Sequence, residues 1–142
     1  MNKEAPKSVM PIIAVDSVDA IRNFYVESLG FNHLMGVVGK DGQFDFVTVA
    51  KDGARIMFAR APGSGAEKKA VPSKQAVEIY LQVADVDGYH DELKKKKVRI
   101  TDPLTMQWWG DRTFKVLDPV GYEIWFYETT SEPNPPQGMK IV

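Results

Sequence analysis

The side chains with which this chain could do chemistry are few, and most of them are flat rings. Residues 77–83, Val77-Glu78-Ile79-Tyr80-Leu81-Gln82-Val83, alternate apolar and polar positions, as a strand with one buried face does. On such a strand Glu78 and Tyr80 share a side. Glu123-Ile124-Trp125-Phe126-Tyr127 alternates in the same way and sets Trp125 and Tyr127 together. Rings of this kind stack on planar or cationic groups, worth about 0.5–2 kcal/mol per contact beyond area burial. A carboxylate beside them could anchor a cationic group or take a proton as a general base. The chain has no cysteine, which excludes disulfides, thiolate metal sites and thiol nucleophiles. It has two histidines, His33 and His90.

Composition narrows the partners. At 142 residues the chain has room for one domain with a sizeable core. A net charge of −1 gives no global attraction to nucleic acid or to an anionic membrane. Lys94-Lys95-Lys96-Lys97 reads as a solvated helix end whose charge complements the macrodipole, in preference to a phosphate-binding patch. The apolar run of residues 9–15 stops at Asp16 and is too short for a signal-peptide core or a membrane span. A cytoplasmic protein is expected.

The elements that must position the rings come twice. Residues 9–15 read as a strand at an edge or at a seam between sheets, with Pro11 unable to donate to a ladder. Ser17 then caps a helix that buries Val18, Ile21, Phe24, Tyr25 and Leu29 and ends at Gly30. Strands over residues 31–38, 43–50 and 54–61 follow, divided by Gly-containing turns. The same order returns as a strand over 76–83, a helix from Asp85 to Lys96 on Val86, Tyr89 and Leu93, and strands over 98–100, 106–116 and 122–128. Val15 matches Val83, Gly42 matches Gly110, Phe46 matches Phe114 and Phe58 matches Phe126, all 68 apart and without a gap. A period this long means two similar halves, each β-α-β-β-β. The boundaries predicted are module one over about 8–61, a Gly/Ser-rich linker over about 62–74, module two over about 75–129 and an extended Pro-rich tail over about 130–142.

Three segments carry a resemblance: Phe24-Tyr25 with Leu29-Gly30-Phe31; Trp109-Gly110-Asp111-Arg112-Thr113-Phe114; and Asp118-Pro119-Val120-Gly121-Tyr122. With the tandem halves, they resemble the vicinal oxygen chelate superfamily of glyoxalase I, bleomycin-resistance proteins and extradiol dioxygenases, over residues 9–128. The resemblance implies an α+β fold of two βαβββ modules, forming a cupped mixed sheet around a central cavity with the helices outside. It implies that Met10, Ile12 and Ala14 face that cavity with Glu78, Tyr80 and Gln82, and with Glu123, Trp125 and Tyr127. It also implies that the metal-ligand positions of metal-dependent members fall on Met10, Met57, Glu78 and Trp125. Two thioethers, one carboxylate and one indole do not make a site for Zn²⁺, Ni²⁺ or Fe²⁺, so no metal and no other cofactor is expected. His90 is expected on the solvated outer helix and His33 on the second strand without a partner ligand.

The ligand-binding set expected is therefore Met10, Phe46, Met57, Glu78 and Tyr80, with Trp109, Arg112, Trp125 and Tyr127. Alternation along the seventh strand would send Trp108 and Trp109 to opposite faces. Glu78 either anchors a ligand or pairs with Arg55 or Arg112. The closest branch by resemblance is the metal-free bleomycin-resistance type, which implies a homodimer binding a planar or hydrophobic small molecule that can be cationic. The alternative is a lyase or isomerase with Glu78 as general base, with or without a metal. The residues leave open whether any reaction is catalysed.

Overall fold

Ser17 and Asp85 stand 68 residues apart and do the same work. Ser17 Oγ accepts the Ala20 N–H and an Asp85 carboxylate oxygen accepts the Gly88 N–H, both at 3.1 Å. Each satisfies a donor that the first helical turn leaves orphaned. In the computed structural model, which describes residues 8–61 and 77–141, the helices so capped are α1 (Val18–Asn23) and α2 (Val86–Lys95). α1 was expected to run on to Leu29. Instead Phe24–Ser28 widens into a π-helical turn, with the Leu29 N–H donating to the Phe24 carbonyl at 3.1 Å. The wider turn keeps Tyr25 and Leu29 both buried beside Ile21, and Gly30 closes it at φ 82°. α2 ends differently. Val98 N–H reaches the Leu93 carbonyl and Lys97 N–H reaches the Lys94 carbonyl, both at 3.0 Å, with Lys97 at φ 62° where glycine is usual.

The chain divides into two compact units, Met1–Ala70 and Val71–Val142. Unit one holds β1 (Ile12–Val15), β2 (Asn32–Val38), β3 (Phe44–Lys51) and β4 (Ala54–Arg60) in the order β1-β4-β3-β2. Unit two holds β5 (Ile79–Gln82), β6 (Ile100–Met106), β7 (Asp111–Leu117) and β8 (Glu123–Thr129) in the order β5-β8-β7-β6. In each sheet the first strand runs parallel to the last and the other pairs are antiparallel. This is the expected α+β fold of two βαβββ modules, each a mixed sheet with its own helix.

The repeat is visible in the registers. Ile12 pairs with Met57 in unit one, and Tyr80 pairs with Trp125 in unit two, both residues shifted by 68. The gap-free offset does not hold throughout. Val47 faces Phe58 across β3–β4, whereas Phe114 faces Phe126 across β7–β8. Phe114 is therefore the counterpart of Val47, 67 residues away, and Phe46 corresponds to Thr113. The extra residue lies in the second hairpin. Four residues separate Ala50 from its partner Arg55, and five separate Leu117 from Glu123. That longer turn is organised by Asp118, one carboxylate oxygen of which accepts the N–H groups of Val120, Gly121 and Tyr122 at 2.9 Å each.

Two expected strands in unit two are redrawn. β6 begins at Ile100 and runs through Pro103, and residues 107–110 form a turn before β7. Pro103 is tolerated within this strand. β6 is a sheet edge with irregular register on either side of Asp102, where a missing N–H costs no ladder bond. The linker and Ala76 lie outside the described residues, and Val77, expected in the core, is exposed.

Each core lies between a sheet and its helix. Tyr25 meets Phe58 at 5.0 Å between ring centroids in unit one, and Tyr89 meets Phe126 at 4.9 Å in unit two. Val18, Ile21, Leu29, Val47, Val49 and Ile56 surround the first pair, while Val86, Leu93, Phe114, Val116 and Ile124 surround the second, all buried. Strand alternation then fixes the opposite face of each sheet.

Two backbone positions are open to direct test. Gly110 sits at φ 102°, and a Cβ there would collide with the Ser131 carbonyl. Gly110→Ala is expected to lower unfolding free energy by about 1–3 kcal/mol. Lys97→Gly, which relieves a left-handed non-glycine residue, is expected to raise it by about 0.5–1 kcal/mol. Urea unfolding of both variants checks the pair, and equal signs would refute it.

Candidate functional site

Because Phe114 and Phe126 turn toward α2, their neighbours Thr113, Lys115, Trp125 and Tyr127 take the other face of the second sheet. Tyr80 joins them from β5, opposite Trp125. Tyr80 and Tyr127 stack with centroids 4.3 Å apart and planes 19° from parallel. Trp125 lies 5.5 Å from Tyr80, and Trp109 stands edge-on to Trp125 at 6.4 Å. Four of the residues expected to bind ligand thus form one contiguous array within unit two.

Polar groups hold the array in place. The Tyr80 hydroxyl donates to a carboxylate oxygen of Asp111 at 2.6 Å and accepts the Trp109 indole N–H at 2.9 Å. The other Asp111 oxygen accepts the Thr129 hydroxyl at 2.7 Å. Glu78 accepts the Trp125 indole N–H at 2.9 Å. The Lys115 ammonium sits 4.1 Å from the Trp125 ring centroid, a cation–π contact, with Asp102 at 3.9 Å. Although the Tyr80 residue is 40% exposed, its hydroxyl meets a carboxylate that is 8% exposed. Burial of that oxygen, and then its donation to Asp111, push the phenol up to about 12.

Unit one carries the same scaffold with different side chains. Ile12, Met57 and Ala59 occupy the counterparts of Tyr80, Trp125 and Tyr127. Phe46 pairs with Ala59 and Thr48 with Met57, which sets all of them on the face away from Phe58. Met10 lies just ahead of β1, where the Pro11 carbonyl accepts the Met57 N–H at 2.9 Å. This face is apolar, with Ile12 60% exposed.

Several expected placements are corrected. Arg112 points to the helix side of its sheet, where it forks onto Asp87 of α2 through Nε and Nη2 at 2.9–3.1 Å. It therefore pairs with neither Glu78 nor the ring array. Arg112 shares the parity of Phe114, whose ring packs toward Tyr89 of α2, and that is the reason. Trp108 and Trp109 belong to a turn, so strand alternation does not apply; their rings stand perpendicular at 5.6 Å. His90 is not solvated, its side chain being 14% exposed and edge-on to Phe114 at 5.1 Å. His33 lies on the helix side, accepting from Arg22 Nε at 3.3 Å. Lys115, Asp111 and Thr129 were missed, though the alternation of Asp111, Thr113 and Lys115 would have grouped them once β7 was known to start at Asp111.

Of the four residues expected at metal-ligand positions, unit two carries Glu78 and Trp125, and the Glu78 carboxylate already accepts that indole N–H. A carboxylate engaged by an indole does not fit a borderline divalent ion.

The family model of the Glyoxalase/Bleomycin resistance protein/Dioxygenase superfamily matches residues 7–126. The chain belongs to that superfamily. An uncharacterized protein of Mycobacterium bovis, Mb0911c, is 28% identical over 119 residues, which span 81% of this chain and 78% of the relative. TnmS3, an antibiotic binding protein from Streptomyces sp. CB03234, has a similar structure with a TM-score of 0.69 at 22% identity, over 91% of this chain and 100% of its own. The bleomycin-binding protein of Streptomyces verticillus, complexed with copper(II)-bleomycin, gives 0.65 at 25% identity, over 90% and 98%.

The Tyr80 pair has a pH consequence. Its folded-state value lies above the ordinary 10, so the stability the neutral phenol contributes is present below pH 10 and is lost as pH rises through about 12. In an alkaline absorbance titration, the wild-type chain should show one phenol ionising near pH 12 that is missing from Tyr80→Phe. In Asp111→Asn that phenol should titrate lower. An unchanged Asp111→Asn profile would remove the carboxylate from the explanation.

Proposed function

We propose that this superfamily member is a metal-independent small-molecule-binding protein that grips a planar or hydrophobic ligand, planar cations included, on the ring array of unit two. The observation that carries the reading is the array itself. Three of the four aromatic rings, Tyr80, Trp109 and Trp125, are fixed by hydrogen bonds and Tyr127 stacks on Tyr80, on a sheet face that the helix does not cover, and Tyr80 remains 40% exposed. Rings locked in this way lose little entropy when a guest stacks on them. A ligand cation would take the place that the Lys115 ammonium holds over Trp125, with Glu78 on the same indole. The antibiotic binding protein and the bleomycin-binding protein of similar structure support a small-molecule ligand, and the engagement of Glu78 by the Trp125 indole supports independence from metal. A homodimer acting in the cytoplasm completes the reading.

The competing reading makes Glu78 the general base of a lyase or isomerase. Its bond to the Trp125 N–H gives the carboxylate a reason to be there without chemistry, which favours binding.

A thermal-shift screen of planar aromatic cations tests the proposal. A binder at a hundredfold excess over its Kd adds about 2.7 kcal/mol of apparent stability, seen as a rise of several degrees in Tm. Trp125→Ala should abolish that rise while leaving the far-UV circular dichroism intact. Stoichiometric Ni²⁺, Zn²⁺ or Fe²⁺ in protein purified without chelator, together with turnover of methylglyoxal–glutathione hemithioacetal, would overturn it.

A further inference from the structure

We infer that residues 130–134, which follow the last strand, are a strap that positions Trp109 within the ring array; this rests on the binding role just proposed for that array. Trp109 sits in the turn of residues 107–110 and is the one ring of the array not carried by a strand. A turn residue has no ladder to fix it, so something else must aim the indole. The segment after β8 doubles back onto the carbonyls of both residues that flank Trp109. The Gly110 carbonyl accepts the N–H groups of Thr130 at 2.9 Å and Ser131 at 3.1 Å, and the Trp108 carbonyl accepts the Asn134 N–H at 2.6 Å.

Side chains reinforce the same docking. The Thr130 hydroxyl reaches Met106 Sδ at 3.2 Å, at the other end of the turn. The Thr129 hydroxyl ties the root of the segment to Asp111, whose second oxygen takes the Tyr80 hydroxyl that in turn accepts from Trp109. The approach is so close that only glycine fits at 110, since a Cβ would meet the Ser131 carbonyl. Trp109 is thus held from two directions: its backbone by the segment, and its indole N–H by Tyr80. These residues act through the backbone of the turn, so their role is positional.

The test uses the full chain. Asn134→Pro deletes the N–H that reaches Trp108, and Asn134→Ala keeps it. With 5-fluorotryptophan incorporated, the three indoles Trp108, Trp109 and Trp125 give separate fluorine NMR signals. In Asn134→Pro the Trp109 signal should shift or broaden while Trp125 stays, and proflavine affinity should fall about two- to tenfold, the range expected for one lost hydrogen bond. Asn134→Ala should restore both. An unmoved Trp109 signal in Asn134→Pro would overturn the inference. If that variant does not fold, Ser131→Pro, which removes the N–H that reaches the Gly110 carbonyl and leaves that of Thr130, takes its place: a moved Trp109 signal supports the strap and an unmoved one overturns it. Failure of the unmodified chain to bind proflavine would count against the array as a binding surface, while the fluorine signal still decides the strap.

Discussion

A strand has two sides, and among the described residues each sheet has one α-helix packed on it. That constraint organises the molecule. α1 and α2 each cover one face of four strands, and the buried aromatic and branched side chains collect there. The alternating positions are left on the opposite face with no helix to bury them. Burial away from water is non-directional and tolerant, so the helix side of both units could keep similar apolar residues. The opposite face was free to diverge.

It diverged strongly. At matching register positions, unit one has Ile12, Met57 and Ala59 where unit two has Tyr80, Trp125 and Tyr127. One scaffold therefore presents an aliphatic and thioether surface in one copy and a polar-edged aromatic surface in the other. Aromatic side chains with N–H and O–H groups demand partners, and unit two supplies them. Asp111, Glu78 and Thr129 are the acceptors and donors that make a rigid array out of rings otherwise free to turn. Tyr80 is central, since its hydroxyl both gives and receives a hydrogen bond. Rigidity of that kind suits binding, because a preorganised surface loses little freedom when a guest arrives. The superfamily to which the chain belongs uses its fold for several chemistries, so it is these side chains, and not the scaffold, that carry the functional reading.

Much of the fold was legible in the residues, because its signals are local. Ser17 and Asp85 mark helix starts by the chemistry of capping, Gly30 marks a helix end, and alternation over 79–82 and 123–127 marks two strands and their faces. Alternation paired Glu78 with Tyr80 and Trp125 with Tyr127, and the resemblance implied that the two pairs share a face. Where local signals conflicted with tertiary pairing, they misled. β6 was expected only over 98–100 and runs instead over Ile100–Met106, through Pro103, because an edge strand tolerates what an inner strand does not. A single extra residue in the second hairpin broke the inferred match of Phe46 with Phe114, and Arg112, expected in the ligand-binding set, lies on the helix side with Asp87.

By itself, then, the sequence determined the two-fold β-α-β-β-β plan, the chemical types on each strand and the poverty of metal donors, since all of these depend on residue identity and short-range spacing. Only the tertiary structure decided which groups meet. Lys115 over Trp125, Asp111 between Tyr80 and Thr129, and Asn134 against the Trp108 carbonyl join residues from different strands, or bring a later segment back onto an earlier turn. Such contacts are set by hairpin length and register, where one residue more or less moves a side chain to the other face.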